Sequence, residues 1–343
     1  MTPSAAGGIR QHPSTPELAG SLALLPGIRW LRLPLPFQLD HINVWLMEET
    51  DGWTLIDTGI DASVAREAWQ TLFRTALEGR PLRRVIVTHY HPDHMGLARF
   101  LWDEFRPEFV MTAETEARAR FLLQEAEPDL IRDIASFCRT HGIDRVAQYT
   151  DYVTGAGYRK MVSGLPGDVG LVREGTPLRI GDRAWRPILA NGHAPGHMSL
   201  YCEELGVLVA GDQILPDITC NVSVQATNRD EDALDAYLES MNRFADLPED
   251  TLVLPAHGRV FTGLHARIDA ITAHHRASLE KVLAICAAPL CLSEVAPRMF
   301  RKKLEGLTYC LALGEALSHL VYLHNRGELA VETVDGVRRF AAR

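Results

Sequence analysis

The chain has 343 residues, 46% of them hydrophobic, and a formal net charge of -9. That size exceeds one ordinary core, so one large domain plus a smaller one is expected. No apolar run approaches the roughly 20 residues needed to span a bilayer. The acidic balance offers no general attraction to a polyanion, although Arg298, Arg301, Lys302 and Lys303 form a local basic cluster on an expected solvated helix face.

Residues 1–20 contain Pro3, Gly7, Gly8, Pro13 and Pro16 and lack a basic segment feeding an apolar core. They read as a disordered lead-in and not as a secretion signal, which makes the cytoplasm the default location. Cys138, Cys202, Cys220, Cys286, Cys291 and Cys310 include no C-x-x-C pair, as expected of packed, reduced thiols. Phosphate-binding G-x-x-x-x-G-K-[ST] and G-x-G-x-x-G loops are absent, as are internal repeats, so nucleotide-cofactor chemistry has no support.

Residues 28–58 read as a β-meander whose last strand ends at Asp57. Val64, Ala68, Leu72 and Ala76 then repeat with a helical period over 61–78, and Arg80-Pro81 closes that helix. The β-branched run Val85-Ile86-Val87-Thr88 predicts a buried strand, and T-H-Y-H-P-D-H overlaps its end. In extended backbone side chains alternate, so His89 and His91 point the same way. Past Pro92 the period becomes helical to about Phe105, which swings Asp93 and His94 toward a second position nearby. The spacing points to two metals. Imidazole and carboxylate donors without thiolate suit zinc, with iron and manganese as alternatives, in an open catalytic site.

After a strand at Phe109–Met111, residues 114–164 form a long, charged, helical stretch. Leu122, Leu123, Leu130, Ile131 and Ile134 mark its apolar stripe, and Tyr149, Tyr152 and Tyr158 follow. Its place between ligand groups predicts a lid or substrate wall, with plain outer packing as the alternative. Tyr152 and Tyr158 are candidate hydrogen-bond donors to substrate, or ordinary packing residues. Three more apolar runs deliver ligand-type side chains near their ends: Arg186–Leu189 leads to His193 and His197, Leu208–Gly211 to Asp212, and Leu252–Pro255 to His257. Helices are then expected over 264–287, 292–303 and 306–325, followed by a hairpin turning at Asp335-Gly336, a winged-helix-like arrangement. His274, His275, His319 and His324 read as solvated.

The order H-x-H-x-D-H, G-H, G-D, P-x-H-G over roughly residues 30–262 resembles that of metallo-β-lactamase-fold hydrolases. Thr54–Gly59 matches that family's first motif, and Asn43-Val44-Trp45-Leu46 the strand before it. The resemblance implies an α/β fold, a four-layer αββα sandwich over 21–262, with 114–164 as a helical insertion and 263–343 as a small C-terminal module. It implies that His89, His91 and His193 hold one divalent ion, that Asp93, His94 and His257 hold the other, and that Asp212 bridges them. Asp57 would support these ligands from behind. His197 would be a supporting or structural histidine.

Two such ions imply metal-assisted hydrolysis by a bridging water ionised near neutral pH, with Asp93 orienting it and passing a proton. Glyoxalase-II-like thioester hydrolases share the complete seven-ligand set, which makes an acyl-CoA or glutathione-type thioester the leading substrate. The tail lacks a basic cluster matching that group's glutathione-binding positions, which counts against glutathione itself. Phosphodiester or endoribonuclease chemistry draws on the same ligands and on the winged-helix-like tail. The net charge and the lack of a further nuclease domain weigh against it. Lactone or other ester hydrolysis is a further alternative. β-Lactam hydrolysis ranks lower, because Asp93 and Asp212 fit the broader hydrolase pattern. A flavodiiron-type redox role is disfavoured by His91, where those proteins carry a carboxylate. The expected partner is a small acyl or ester substrate, with nucleic acid a less favoured alternative and no membrane, and the C-terminal module serves packing or homodimerisation.

Overall fold

A computed structural model describes residues 8–300 and 303–343, and in these two seven-stranded sheets stack face to face. The first sheet runs Gly20–Leu25, Ile28–Pro34, His41–Glu49, Gly52–Ile56, Leu82–Ile86, Glu108–Thr112 and Gly170–Val172. Its first four strands are antiparallel neighbours and the last three are added in parallel. The second sheet runs Arg10–Gln11, Phe261–Thr262, Leu252–Pro255, Val207–Gly211, His197–Cys202, Arg183–Ala190 and Leu178–Ile180. There the one parallel pair joins Val207–Gly211 to Leu252–Pro255.

Alternation along each strand divides its side chains between two cores. Trp30, Trp45, Ile56, Ile86, Trp185 and Leu254 fill the space between the sheets, and the Trp30 and Trp45 rings lie 5.7 Å apart. The intervening Leu31, Val44, Leu55 and Val85 face outward onto Trp69 and Leu72 of the helix Ser63–Thr75 and onto Leu101 of the helix Ala98–Phe105. Burial on both faces is why these strands read as nearly unbroken apolar runs. Each such large side chain contributes about 1.5–3 kcal/mol when fully buried.

The helix expected from Asp93 to Phe105 is two pieces, Pro92–Met95 and Ala98–Phe105. The break centres on Gly96, where a Cβ would come within 2.6 Å of the Asp61 nitrogen and 2.7 Å of the Met161 oxygen. Only glycine lets three chain segments meet there.

Helices Ala113–Leu123, Pro128–Thr140 and Val146–Val153 make up the insertion. Ile134, Phe137, Tyr149 and Val153 share one hydrophobic cluster with Val295, Leu313, Leu317 and Phe340 of the C-terminal module. Polar contacts bind the same parts: Tyr309 Oη donates to Asp144 Oδ1 at 3.0 Å, and the Ser293 amide to the His141 carbonyl at 3.4 Å. Ile131, expected on the buried stripe, is 42% exposed, because the helix turns Ile134 and Phe137 inward instead.

The C-terminal module comprises helices Leu264–Ile285, Leu292–Met299 and Gly306–Asn325 and the hairpin Leu329–Val334/Val337–Ala342. Asp335 and Gly336 turn it with φ of 50° and 79°, the left-handed pair that a two-residue hairpin loop needs. In the basic cluster, Arg301 and Lys302 lie outside the described residues, and Lys303 pairs with Glu305.

Two expectations are corrected. His275 and His319 are fully buried and not solvated, because their helices pack together and bring His275 Nδ1 to 3.4 Å from His319 Nε2; His274 is exposed as expected. Of the lead-in, residues 1–7 lie outside the described residues, but Arg10–Gln11 is an edge strand paired with Phe261–Thr262 and Pro16 is buried. A free sheet edge ordered a segment whose Pro and Gly content argued for disorder. All six cysteines are buried and unpaired. Among the described residues no helix is long and apolar enough to cross a membrane.

Candidate metal centre

His89, His91, His193, Asp212 and His257 lie past strand ends, Asp93 and His94 are on the helix Pro92–Met95, and His197 opens the strand His197–Cys202; the parallel pairings bring the strand ends to a common edge. His89 and His91 converge as alternation requires, with His89 Nε2 2.9 Å from His91 Nδ1 and 3.2 Å from His193 Nε2. Asp93 Oδ2 lies 3.3 Å from His257 Nε2 and 3.8 Å from His94 Nε2. Two groups result: His89, His91, His193 and Asp212, and Asp93, His94 and His257. Asp212 faces both. Its Oδ2 is 3.3 Å from His193 Nε2, and its Oδ1 is 3.4 Å from His94 Nε2 and 3.3 Å from His257 Nε2.

Each of four imidazoles is fixed through its other nitrogen. His193 Nδ1 donates to the Asn221 carbonyl at 2.8 Å, His257 Nδ1 to the His41 carbonyl at 2.8 Å, His94 Nδ1 to Asp57 Oδ2 at 2.7 Å, and His89 Nδ1 to Thr88 Oγ1 at 3.1 Å. These bonds leave the inward nitrogens with lone pairs directed at the two groups. Asp57 also accepts from the Thr88 amide and hydroxyl, both at 2.8 Å. It adopts φ of 64°, a strained setting for a residue with a side chain.

The donor set fits two cations. His94 Nε2 and Asp212 Oδ1 are buried without a hydrogen-bond partner, a costly arrangement for polar atoms that a bound cation between them relieves. Burial, aided by His193, pushes His91 down to about 3, so this ring is neutral and ready to ligate. Although burial opposes it, Asp212, Asp57 and Asp93 raise His94 well above its ordinary value: the carboxylates call for positive charge at this point. His/Asp clusters of this kind form a dinuclear metal site.

His197 stands outside both groups. Its Nε2 accepts the Asp212 amide at 3.1 Å, so it holds the backbone of the shared carboxylate, in line with a supporting role. Tyr158 is buried and donates its hydroxyl to the Tyr90 carbonyl at 2.7 Å, an arrangement that favours the packing alternative for this residue. Tyr152 is half-buried and accepts from Gln225 Nε2 at 3.1 Å, which leaves its own proton free for a ligand.

Sequence reasoning missed His41 and Asn221. His41 Nε2 accepts the Gly258 amide at 2.9 Å while its Nδ1 donates to Asp40 Oδ1 at 2.6 Å, which ties the His257 loop to the first sheet. Asn221 Nδ2 donates to Glu315 Oε2 at 3.0 Å, which connects the His193 support to the C-terminal module. A short polar residue directly after the Pro34–Asp40 connection was the available signal for His41; Asn221 had none.

Residues 38–257 match the family model of the metallo-beta-lactamase superfamily, and residues 279–343 that of the metallo-beta-lactamase-like C-terminal domain. The chain is similar to the probable metallo-hydrolase YqjP of Bacillus subtilis (strain 168), with 25% identity over 317 residues, 84% of this chain and 90% of that protein. The probable metallo-hydrolase YflN of the same organism is 27% identical over 259 residues, 68% of this chain and 86% of that protein. Among solved structures, a beta-lactamase domain protein from Burkholderia ambifaria is 38% identical and covers 97% of this chain and 98% of its own, with a TM-score of 0.88. A metallo-beta-lactamase family protein from Thermus thermophilus is 29% identical and covers 94% of this chain and 100% of its own, with a TM-score of 0.79.

Proposed function

The chain belongs to the metallo-beta-lactamase superfamily, and from that premise we propose that it is a metallo-hydrolase acting on a small acyl thioester. The observation that carries the reading is the placement of Asp212, with one carboxylate oxygen toward each ligand group. His89, His91 and His193 would hold one ion, Asp93, His94 and His257 the second, and Asp212 both. Zinc suits these donors, as do iron and manganese. When bound, such ions supply Lewis acidity, which polarises a carbonyl and brings the ionisation of water toward neutral pH.

The protein's own groups supply orientation and proton handling. Asp57 and Thr88 lock His94 and His89, and the Asn221 and His41 carbonyls lock His193 and His257, so the ligand cage is organised before substrate arrives. Asp93 is the ligand carboxylate with the more open side chain, 21% exposed against 10% for Asp212, which supports a role for it in orienting water and passing a proton.

Leaving-group chemistry favours the thioester. A thiol ionises near pH 8.5, about as in free cysteine, so a thiolate departs without a strong proton donor, whereas an alkoxide requires one. Burial raises the Tyr152 and Tyr158 phenols above their ordinary value, which makes them poor acids. The test is a parallel assay of metal-analysed protein on acetyl-CoA, lactoylglutathione, bis(p-nitrophenyl) phosphate and single-stranded RNA. Thioester turnover that a chelator abolishes and added metal restores is expected. Cleavage of phosphodiesters alone would overturn the reading.

A further inference from the structure

Arg118, on the helix Ala113–Leu123, is a half-buried cation with no carboxylate in ion-pair reach among the described residues. Arg120 on the same helix pairs with Glu116, and Arg229, two residues past Thr227, pairs with Asp133, while Arg159 is taken up by the Leu122 and Gln124 carbonyls. Arg118 instead donates from Nη2 to the neutral Thr227 hydroxyl at 3.2 Å. Its guanidinium carbon lies 5.8 Å from the Tyr90 ring centre and 5.1 Å from that of Phe121. The Tyr90 ring is in turn 4.6 Å from the His91 ring, so a single aromatic side chain separates this cation from the metal-ligand cluster.

A guanidinium carries five N–H donors in a planar fork shaped for an oxyanion, and a half-buried one lacking a counter-charge keeps most of that capacity in reserve. In a chain of net charge -9, a positive group at this place cannot be explained as part of a basic field. We propose that Arg118 is a specificity-determining residue that binds an anionic group, carboxylate or phosphate, carried by the substrate at the end remote from the bond being cleaved. The proposal rests on the hydrolase reading and narrows it to acyl thioesters with an acidic terminus. The Tyr90 ring sets the spacing between that terminus and the ligand cluster, and Thr227 holds the guanidinium in place.

Equilibrium binding tests this independently of turnover. The metal-loaded protein is titrated calorimetrically with adipate, suberate and 6-phosphonohexanoate, and with adipamate, in which one carboxylate of adipate is replaced by a neutral amide. A charge-assisted contact predicts that the wild type binds at least one double anion about tenfold or more tighter than adipamate. Arg118→Gln should erase that preference and leave adipamate binding intact, and Arg118→Lys should restore part of it. A greater gain with the phosphonate or with the carboxylates identifies which anion the site takes. Equal wild-type affinity for all four compounds would overturn the proposal, as would a preference that survives in folded Arg118→Gln. The wild-type comparison can overturn the proposal without any variant, and Arg118→Lys, which keeps the charge and most of the side-chain volume, serves with Arg118→Gln to assign a preference to this residue. Preference for the double anion without thioester turnover would sink the thioester reading alone and leave the anion site standing.

Discussion

Asp57 Oδ2 lies 2.7 Å from His94 Nδ1, and both side chains are buried. The same carboxylate takes the Thr88 amide and hydroxyl, so one residue in a left-handed conformation orients two ligand-bearing positions. Asp57→Asn keeps the shape but turns a hydrogen-bond acceptor into a donor at one oxygen position. Metal affinity is expected to fall about 10–100-fold, the usual consequence of losing such a support. Competition against a calibrated chelator measures it; unchanged affinity would show that the strained turn serves folding alone.

Asp212→Asn removes the negative charge that the two groups share. Metal content should drop from two ions per chain toward one, with turnover lost together with the second ion. Elemental analysis of wild type and variant prepared side by side checks this. In the wild type, each metal held at about 100 times its dissociation constant should stabilise the fold by about 2.7 kcal/mol, a gain that chelation reverses in a thermal melt.

Burial pushes the Glu315 carboxyl up to about 7, against the opposing hydrogen bond from Asn221. An acid whose folded value is raised binds its proton more tightly when folded. Its stabilising contribution is therefore complete below the ordinary value of 4.5 and is lost as pH rises through about 7. Glu315→Gln should be more stable than wild type at pH 8 by about 2–3 kcal/mol at most, and should flatten the stability profile between these limits. Denaturant titrations across that range show whether it does.

His275 and His319 behave oppositely. Burial holds them down at about 3 and about 4, so between these values and the ordinary 6.5 the unfolded chain takes up protons that the folded one refuses. Stability falls as pH drops through that window. At pH 5 each histidine should cost about 1–2 kcal/mol, and His275→Leu should remove its own share. Melting temperatures at pH 5 and pH 8 provide the comparison.

The grouping of His89, His91, Asp93 and His94 was legible in the sequence because its signals are local: a β-branched run, alternation through His89 and His91, and Pro92 starting a helix. The hairpin at Asp335-Gly336 was legible for the same reason. The supports were not. His193 and His257 rest on backbone carbonyls of Asn221 and His41, and any residue carries a carbonyl. His274 and His275 point in different directions on their helix, and only the partner helix carrying His319 decides which one is buried. Arg10–Gln11 became ordered because a distant strand offered its edge.

The insertion is clamped to the last third of the polypeptide through Tyr309, Ser293 and a shared apolar cluster, whereas all seven ligands lie before residue 258. The segment beside the two His/Asp groups is therefore held in place from a different part of the chain than the groups themselves. Exchanging tails between relatives would re-anchor the segment that carries Arg118 and Tyr152 and, through the Asn221–Glu315 contact, would also reach the support of His193.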